Sequence, residues 1–95
     1  MTPQEVHSQR EALQLLDVRE PFEWAAGHVA GSVHIPMEQV PARLGELDRG
    51  TPVAVICRSG NRSAAVTDYL QRAGFEAHNV EGGLQQWAAE GLPVQ

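Results

Sequence analysis

At 95 residues, 42% of them apolar, the chain is long enough for one core around one sheet and too short for a second domain, so a single domain over 1–95 is expected. Its net charge of -5 comes from twelve acidic residues against seven arginines and no lysine, a balance that disfavours nucleic acid and anionic membrane as partners. A single cysteine excludes an intrachain disulfide and a multi-cysteine metal site, and the absence of a leader pattern or of an apolar run near ~20 residues makes a cytoplasmic protein the expectation.

In chain order, Thr2-Pro3-Gln4-Glu5 has the form of a capping box with proline at the first helical position, which predicts a helix from Pro3 to Ala12. Leu13 to Val18 is a short apolar run interrupted by Asp17, the pattern of a buried strand whose C-terminal end reaches a site. Glu20 to Ala26 reads as a short helix stopped by Gly27, and Ser32 to Ile35 as a strand closed by Pro36. Pro41 suits a first helical turn, so a helix is expected through Ala42 to Leu47, followed by a turn at Arg49-Gly50-Thr51.

Pro52 to Cys57 is the strongest strand signal: continuously apolar, rich in β-branched residues, and expected to be central and covered on both faces with Cys57 as its last residue. Ser59-Gly60-Asn61 breaks that pattern, after which Ala64, Ala65, Val66, Tyr69 and Leu70 fall on helical spacing up to Gly74. Phe75 to Val80 predicts a further strand, Gly82-Gly83 a turn, and Leu84 to Glu90 a final helix with Trp87 on its inner face. Strands alternating with helices imply an α/β fold: a mostly parallel sheet of four to five strands with helices on both faces, and ligands bound beyond the C-terminal strand ends.

Chemistry concentrates in Cys57-Arg58-Ser59-Gly60-Asn61-Arg62-Ser63, a connection from a buried strand to a helix start. The first amides of a helix have no intrahelical acceptor and favour an anion, Gly60 lets successive amides curl toward one point, and Arg58 and Arg62 add positive charge. These features lower a thiol pKa, so Cys57 is expected to be a thiolate at neutral pH and a nucleophile. A lone cysteine ending an apolar strand is ordinarily inert core, but an inert thiol needs neither flanking cations nor a helix start.

Several separated segments resemble, in order, the signatures of the rhodanese homology domain. They are Leu16-Asp17-Val18-Arg19-Glu20, Gly27 to Pro36, the Cys57 to Arg62 loop, and Val80-Glu81-Gly82-Gly83-Leu84-Gln85-Gln86-Trp87. The resemblance implies a small three-layer α/β sandwich. Because the sequence opens on its first helix, a departure from the family pattern is expected: the short N-terminal edge strand common in such domains is truncated or missing. It also implies a thiosulfate sulfurtransferase mechanism: Cys57 attacks the outer sulfur of a donor such as thiosulfate, releases sulfite and holds a persulfide, which a thiol, cyanide or a protein acceptor then takes. No metal and no organic cofactor are required for that cycle.

Asp17 has two readings, pairing with Arg58 or Arg62 to orient the loop, or capping the turn that follows it. Arg19 and Glu20 are expected to form a structural ion pair, His28 and His34 to serve the scaffold, and Phe22, Trp24, Phe75 and Trp87 to fill the core or close the rim. Two rival functions are weaker. Phosphatases and arsenate reductases of similar fold carry an arginine six positions after the cysteine, where this chain has Ser63, and the tighter spacing to Arg62 suits a sulfane sulfur. A sulfur-relay or regulatory binding module acting on a protein partner would keep the same loop with slow small-molecule turnover.

Overall fold

The computed structural model describes residues 1–95 and contains four strands, β1 (Gln14–Asp17), β2 (Val33–His34), β3 (Val53–Ile56) and β4 (Ala77–Asn79), in one sheet ordered β2-β1-β3-β4. All three pairings are parallel, with Asp17 opposite both His34 and Ile56, and Val55 opposite Asn79. The C-terminal ends of the four strands therefore lie side by side, the edge at which an open parallel sheet binds ligands. No helix is long and apolar enough to cross a membrane.

Helices cover both faces, as the alternation along β3 requires. Val53 and Val55 face one core with Val66 and Leu70 of α3 (Asn61–Arg72), whereas Ala54 and Ile56 face a second core with Val6 of α1 (Pro3–Ser8) and Trp87 of α4 (Gly83–Ala89). Every residue of β3 is buried. Trp87 meets His7 edge to face, with ring centroids 5.8 Å apart, and its indole N–H donates to the Pro93 carbonyl at 3.0 Å. Burying a large apolar side chain of this kind stabilises a fold by about 1.5–3 kcal/mol.

Helix α1 begins as its capping box predicts, with the Glu5 amide bonded to Thr2 Oγ1 at 3.2 Å and the Thr2 amide to the Glu5 carboxylate at 2.8 Å. It stops at Ser8 rather than Ala12, because Gln9, Arg10 and Glu11 carry nothing apolar and are exposed, so further turns would bury nothing. The segment after Pro41 is a 3₁₀ stretch, Pro41–Glu46, preceded by a short one at Met37–Gln39, and not an α-helix. Arg43, at φ -119° and ψ 19°, breaks it, and its bonds close after three residues: Arg43 N to Val40 O and Leu47 N to Leu44 O, both 3.1 Å. The strands are shorter than their apolar runs, and β3 ends at Ile56, leaving Cys57 as the first residue beyond it.

Candidate active site

Cys57 leaves β3 on the α3 side of the sheet and is 1% exposed. The chain then curls through Gly60, whose φ of +105° lies in the left-handed region open to glycine, and enters α3 at Asn61. This curl aims donors at the sulfur. The Gly60 amide lies 3.1 Å from Cys57 Sγ and the Ser63 hydroxyl 3.2 Å from it. Burial alone would push the thiol pKa up, but the Ser63 hydroxyl and the amides of Ser63, Gly60 and Ser59 outweigh it and hold Cys57 below the ordinary thiol value. Hydrogen bonds to the anion lower this pKa, where the sequence pointed as much to the two arginines.

A second layer fixes the curl. Asn79, at the end of β4, donates from its amide nitrogen to the Gly60 carbonyl at 3.1 Å and offers its amide oxygen to the Ser63 hydroxyl. Ser63 has one proton and two acceptors, Asn79 Oδ1 and Cys57 Sγ, so Asn79 competes with the sulfur for it. On the other side, the amides of Leu84 and Gln85 donate to the carbonyls of Cys57 and Arg58 at 2.8 and 3.0 Å. Because these peptides are trans, anchoring the carbonyls outward turns the N–H groups of Arg58 and Ser59 inward. The close approach depends on Gly83, with φ +60°, where a Cβ would stand 2.6 Å from the Cys57 and Arg58 carbonyl oxygens.

The arginines do not behave alike. Arg62 is bound to both carboxylate oxygens of Glu23, at 2.6 and 2.9 Å, and Glu23 in turn accepts from the Glu20 amide at 2.9 Å. The Arg62 guanidinium, with this amide, holds the Glu23 carboxyl down at about 2 although burial works the other way, and Glu23 raises the Arg62 pKa in return. Glu23 belongs to a short helix, α2 (Pro21–Ala25), and its partnership was missed in the sequence: Glu20-Pro21 announces the helix start but not an arginine 39 residues away. Arg58 is exposed and has no carboxylate partner. It lines a groove of about 590 Å³ together with Glu23 and with Phe22, which at 75% exposure forms rim and not core.

Asp17 pairs with neither loop arginine. Its carboxylate receives the Arg19 amide at 3.0 Å and the Arg19 guanidinium at 2.8 to 3.0 Å, a buried pair in which Asp17 is 1% and Arg19 4% exposed. The expected Arg19–Glu20 pair is replaced by this one, since Arg19 folds back over the strand end. Arg19 also donates to the carbonyls of Glu23 and Gly27 at 3.3 and 2.8 Å, tying α2 to the sheet. Asp17 therefore has no hydrogen bond or ion pair with the loop; it holds Arg19, which ties α2 to the sheet. His28 and His34 donate to the Trp24 and Arg19 carbonyls at 2.9 and 2.8 Å and stack on the two faces of Trp24, with centroids 3.6 and 4.7 Å away, so neither serves Cys57.

Comparison with known proteins agrees on one group. The family model described as a rhodanese-like domain matches residues 2–90. The YtwF protein of Bacillus subtilis is 45% identical over 83 residues, which cover 87% of this chain and 81% of that protein. Thiosulfate sulfurtransferase GlpE of Pseudomonas aeruginosa is 33% identical over 89 residues, covering 92% and 81%. The crystal structure of a rhodanese-related protein from Thermoplasma volcanium superposes with a TM-score of 0.96 at 40% identity, covering 100% of this chain and 95% of that one.

Proposed function

The chain belongs to the rhodanese-like domain family, and we propose that it is a single-domain sulfurtransferase that carries a sulfane sulfur as a persulfide on Cys57. One observation carries this reading: the sulfur of Cys57 sits at the focus of the Gly60 amide and the Ser63 hydroxyl, 3.1 and 3.2 Å away, at the entrance to α3. Such a focus stabilises a thiolate before reaction and an anionic persulfide after it. The naming of the Pseudomonas aeruginosa relative as a thiosulfate sulfurtransferase supports the same chemistry.

In the proposed cycle the Cys57 thiolate attacks the outer sulfur of thiosulfate or a related donor. The new Sγ–S bond forms as the donor S–S bond breaks, and sulfite leaves with the electron pair. Cyanide or a thiol, free or on a protein, then attacks the terminal sulfur and returns Cys57 as a thiolate. No step passes a proton through a general base, in keeping with two histidines that are bound to backbone carbonyls. Ser59, Gly60, Asn61 and Ser63 form the cradle, Arg58 offers the anion a free guanidinium, and Arg62 braces the loop against Glu23.

Intact mass tests the reading. Reduced protein incubated with thiosulfate or an organic thiosulfonate should gain one sulfur atom on Cys57, and cyanide should remove it as thiocyanate. Cys57→Ser should gain none. Absence of the adduct with every donor, or its persistence in the serine variant, would overturn the assignment. Ready persulfide formation with negligible cyanide turnover, but transfer to a protein acceptor, would identify a relay.

A further inference from the structure

The two arginines that flank the nucleophile differ in what the fold leaves them free to do. Arg62 is gripped by both oxygens of Glu23 at 2.6 and 2.9 Å, and the Glu20 amide locks that carboxylate from behind. Bidentate pairs of this kind hold both groups in one geometry. Arg19, the other cation nearby, is neutralised by Asp17 at 2.8 Å. Only Arg58 lines the groove as an unpaired cation, and it shares that groove with the Glu23 carboxylate. The remaining wall is largely apolar: Phe22, Ala26, Leu84, Ala88 and Val94.

Thiosulfate is a compact dianion without an apolar part, and its attacker is itself an anion. It would meet one free guanidinium beside a carboxylate, and would leave the apolar wall uncovered. A donor with one negative charge and an organic body matches both features. Resting on the sulfurtransferase reading above, we propose that Glu23 determines donor specificity. By occupying Arg62 it makes the site select a singly charged sulfane donor with an apolar body, of the thiosulfonate or organic persulfide type, over thiosulfate. With a thiosulfonate R–SO₂–S⁻, the Cys57 thiolate attacks the terminal sulfur and the Sγ–S bond forms. The bond between the sulfonyl and terminal sulfurs breaks, and its electron pair departs on the sulfinate R–SO₂⁻. Charge is conserved, and neither a proton nor an oxidant is consumed.

The test compares benzenethiosulfonate with thiosulfate as donors to cyanide, in the wild-type protein and in Glu23→Gln. The ratio of kcat/KM for the two donors is taken within each protein, so that their intrinsic reactivities cancel between proteins. Glu23→Gln should shift this ratio toward thiosulfate by about tenfold, through the KM of thiosulfate, because a unit charge is removed beside a partly solvated anion site. A merely structural role would lower both donors alike and leave the ratio within about twofold, which overturns the proposal. A second measurement needs no variant: in wild-type protein, KM should fall at least about fivefold from methanethiosulfonate to benzenethiosulfonate as the ring covers the apolar wall. Equal KM values for these two donors would also overturn it. Uptake of sulfur from none of the three donors would instead defeat the sulfurtransferase reading itself.

Discussion

Replacing Gly83 with alanine tests how the cradle is held. The glycine has φ +60°, and an added Cβ would lie 2.6 Å from the Cys57 and Arg58 carbonyl oxygens, against the 3.4 Å at which ordinary contact begins. The start of α4 and the loop must then separate by roughly 0.8 Å, the difference between these distances. That movement stretches the Leu84 and Gln85 bonds to the Cys57 and Arg58 carbonyls, now 2.8 and 3.0 Å. A left-handed alanine costs about 1 kcal/mol and two weakened hydrogen bonds about 0.5–1.5 kcal/mol each, so a loss of about 2–4 kcal/mol is expected. Gly31→Ala is the control, because Gly31 has φ +79° but nothing within 4 Å of its Cβ position, and it isolates the conformational cost. Urea denaturation at constant m reads both variants. Alkylation of Cys57 against pH should also show a less acidic thiol in Gly83→Ala, since the inward N–H groups lose their aim. Equal destabilisation by the two substitutions, with Cys57 acidity unchanged, would refute the view that α4 sets the loop.

Other outcomes follow from the same geometry. Ser63→Ala removes a hydroxyl bond to the sulfur, so Cys57 should be less acidic and its alkylation near pH 6.5 slower by about fivefold, the equivalent of one hydrogen bond of ~1 kcal/mol. The Glu23 carboxyl is depressed from 4.5 to about 2 in the folded protein, so its contribution is present above pH 4.5 and lost as pH falls through about 2. With Arg62 partly exposed, solvent screening leaves about 1–2 kcal/mol of this, and acid unfolding of Glu23→Gln should lack that part of the pH 4.5 to 2 slope seen in wild type. Asp17→Ala strands a buried guanidinium and should cost about 3–5 kcal/mol in denaturant melts, while the folded variant keeps its Cys57 acidity, because Asp17 touches no cradle residue.

Local features were the legible ones. The run from Val53 to Ile56 announced a central buried strand, the spacing of Val66 and Leu70 announced α3, and Cys57 with Gly60 marked the curl between them. Pairings across the chain were not legible. Arg62 had Asp17 as well as solvent for a plausible partner, and only the placement of α2 beside the loop selected Glu23. Arg19 lies two residues beyond Asp17, past the end of β1, and their pairing required the chain to turn there so that the Arg19 amide and guanidinium both reach the Asp17 carboxylate. Gly82-Gly83 looked like a turn because nothing in a dipeptide reveals which backbone will press against it. Asn79 likewise gained its role from the parallel register that sets β4 beside β3.

The convergence of donors on Cys57 has a kinetic meaning for a newly made chain. The sulfur obtains its donors from Gly60 and Ser63, but their support comes from Asn79, Leu84 and Gln85, far along the sequence. Before β4 and α4 dock, none of that support exists, and the thiol keeps the acidity of an unstructured peptide, about 8.5, largely protonated at neutral pH. A nascent or unfolded molecule is thus a sluggish nucleophile, slow to oxidise or to enter mixed disulfides, and potency arrives with completion of the C-terminal third. By linkage, ionising the folded thiol strengthens the native state: the gain is complete above the unfolded thiol's pKa and disappears as pH falls through the lower folded value. Maturation and chemical competence are in this way one event.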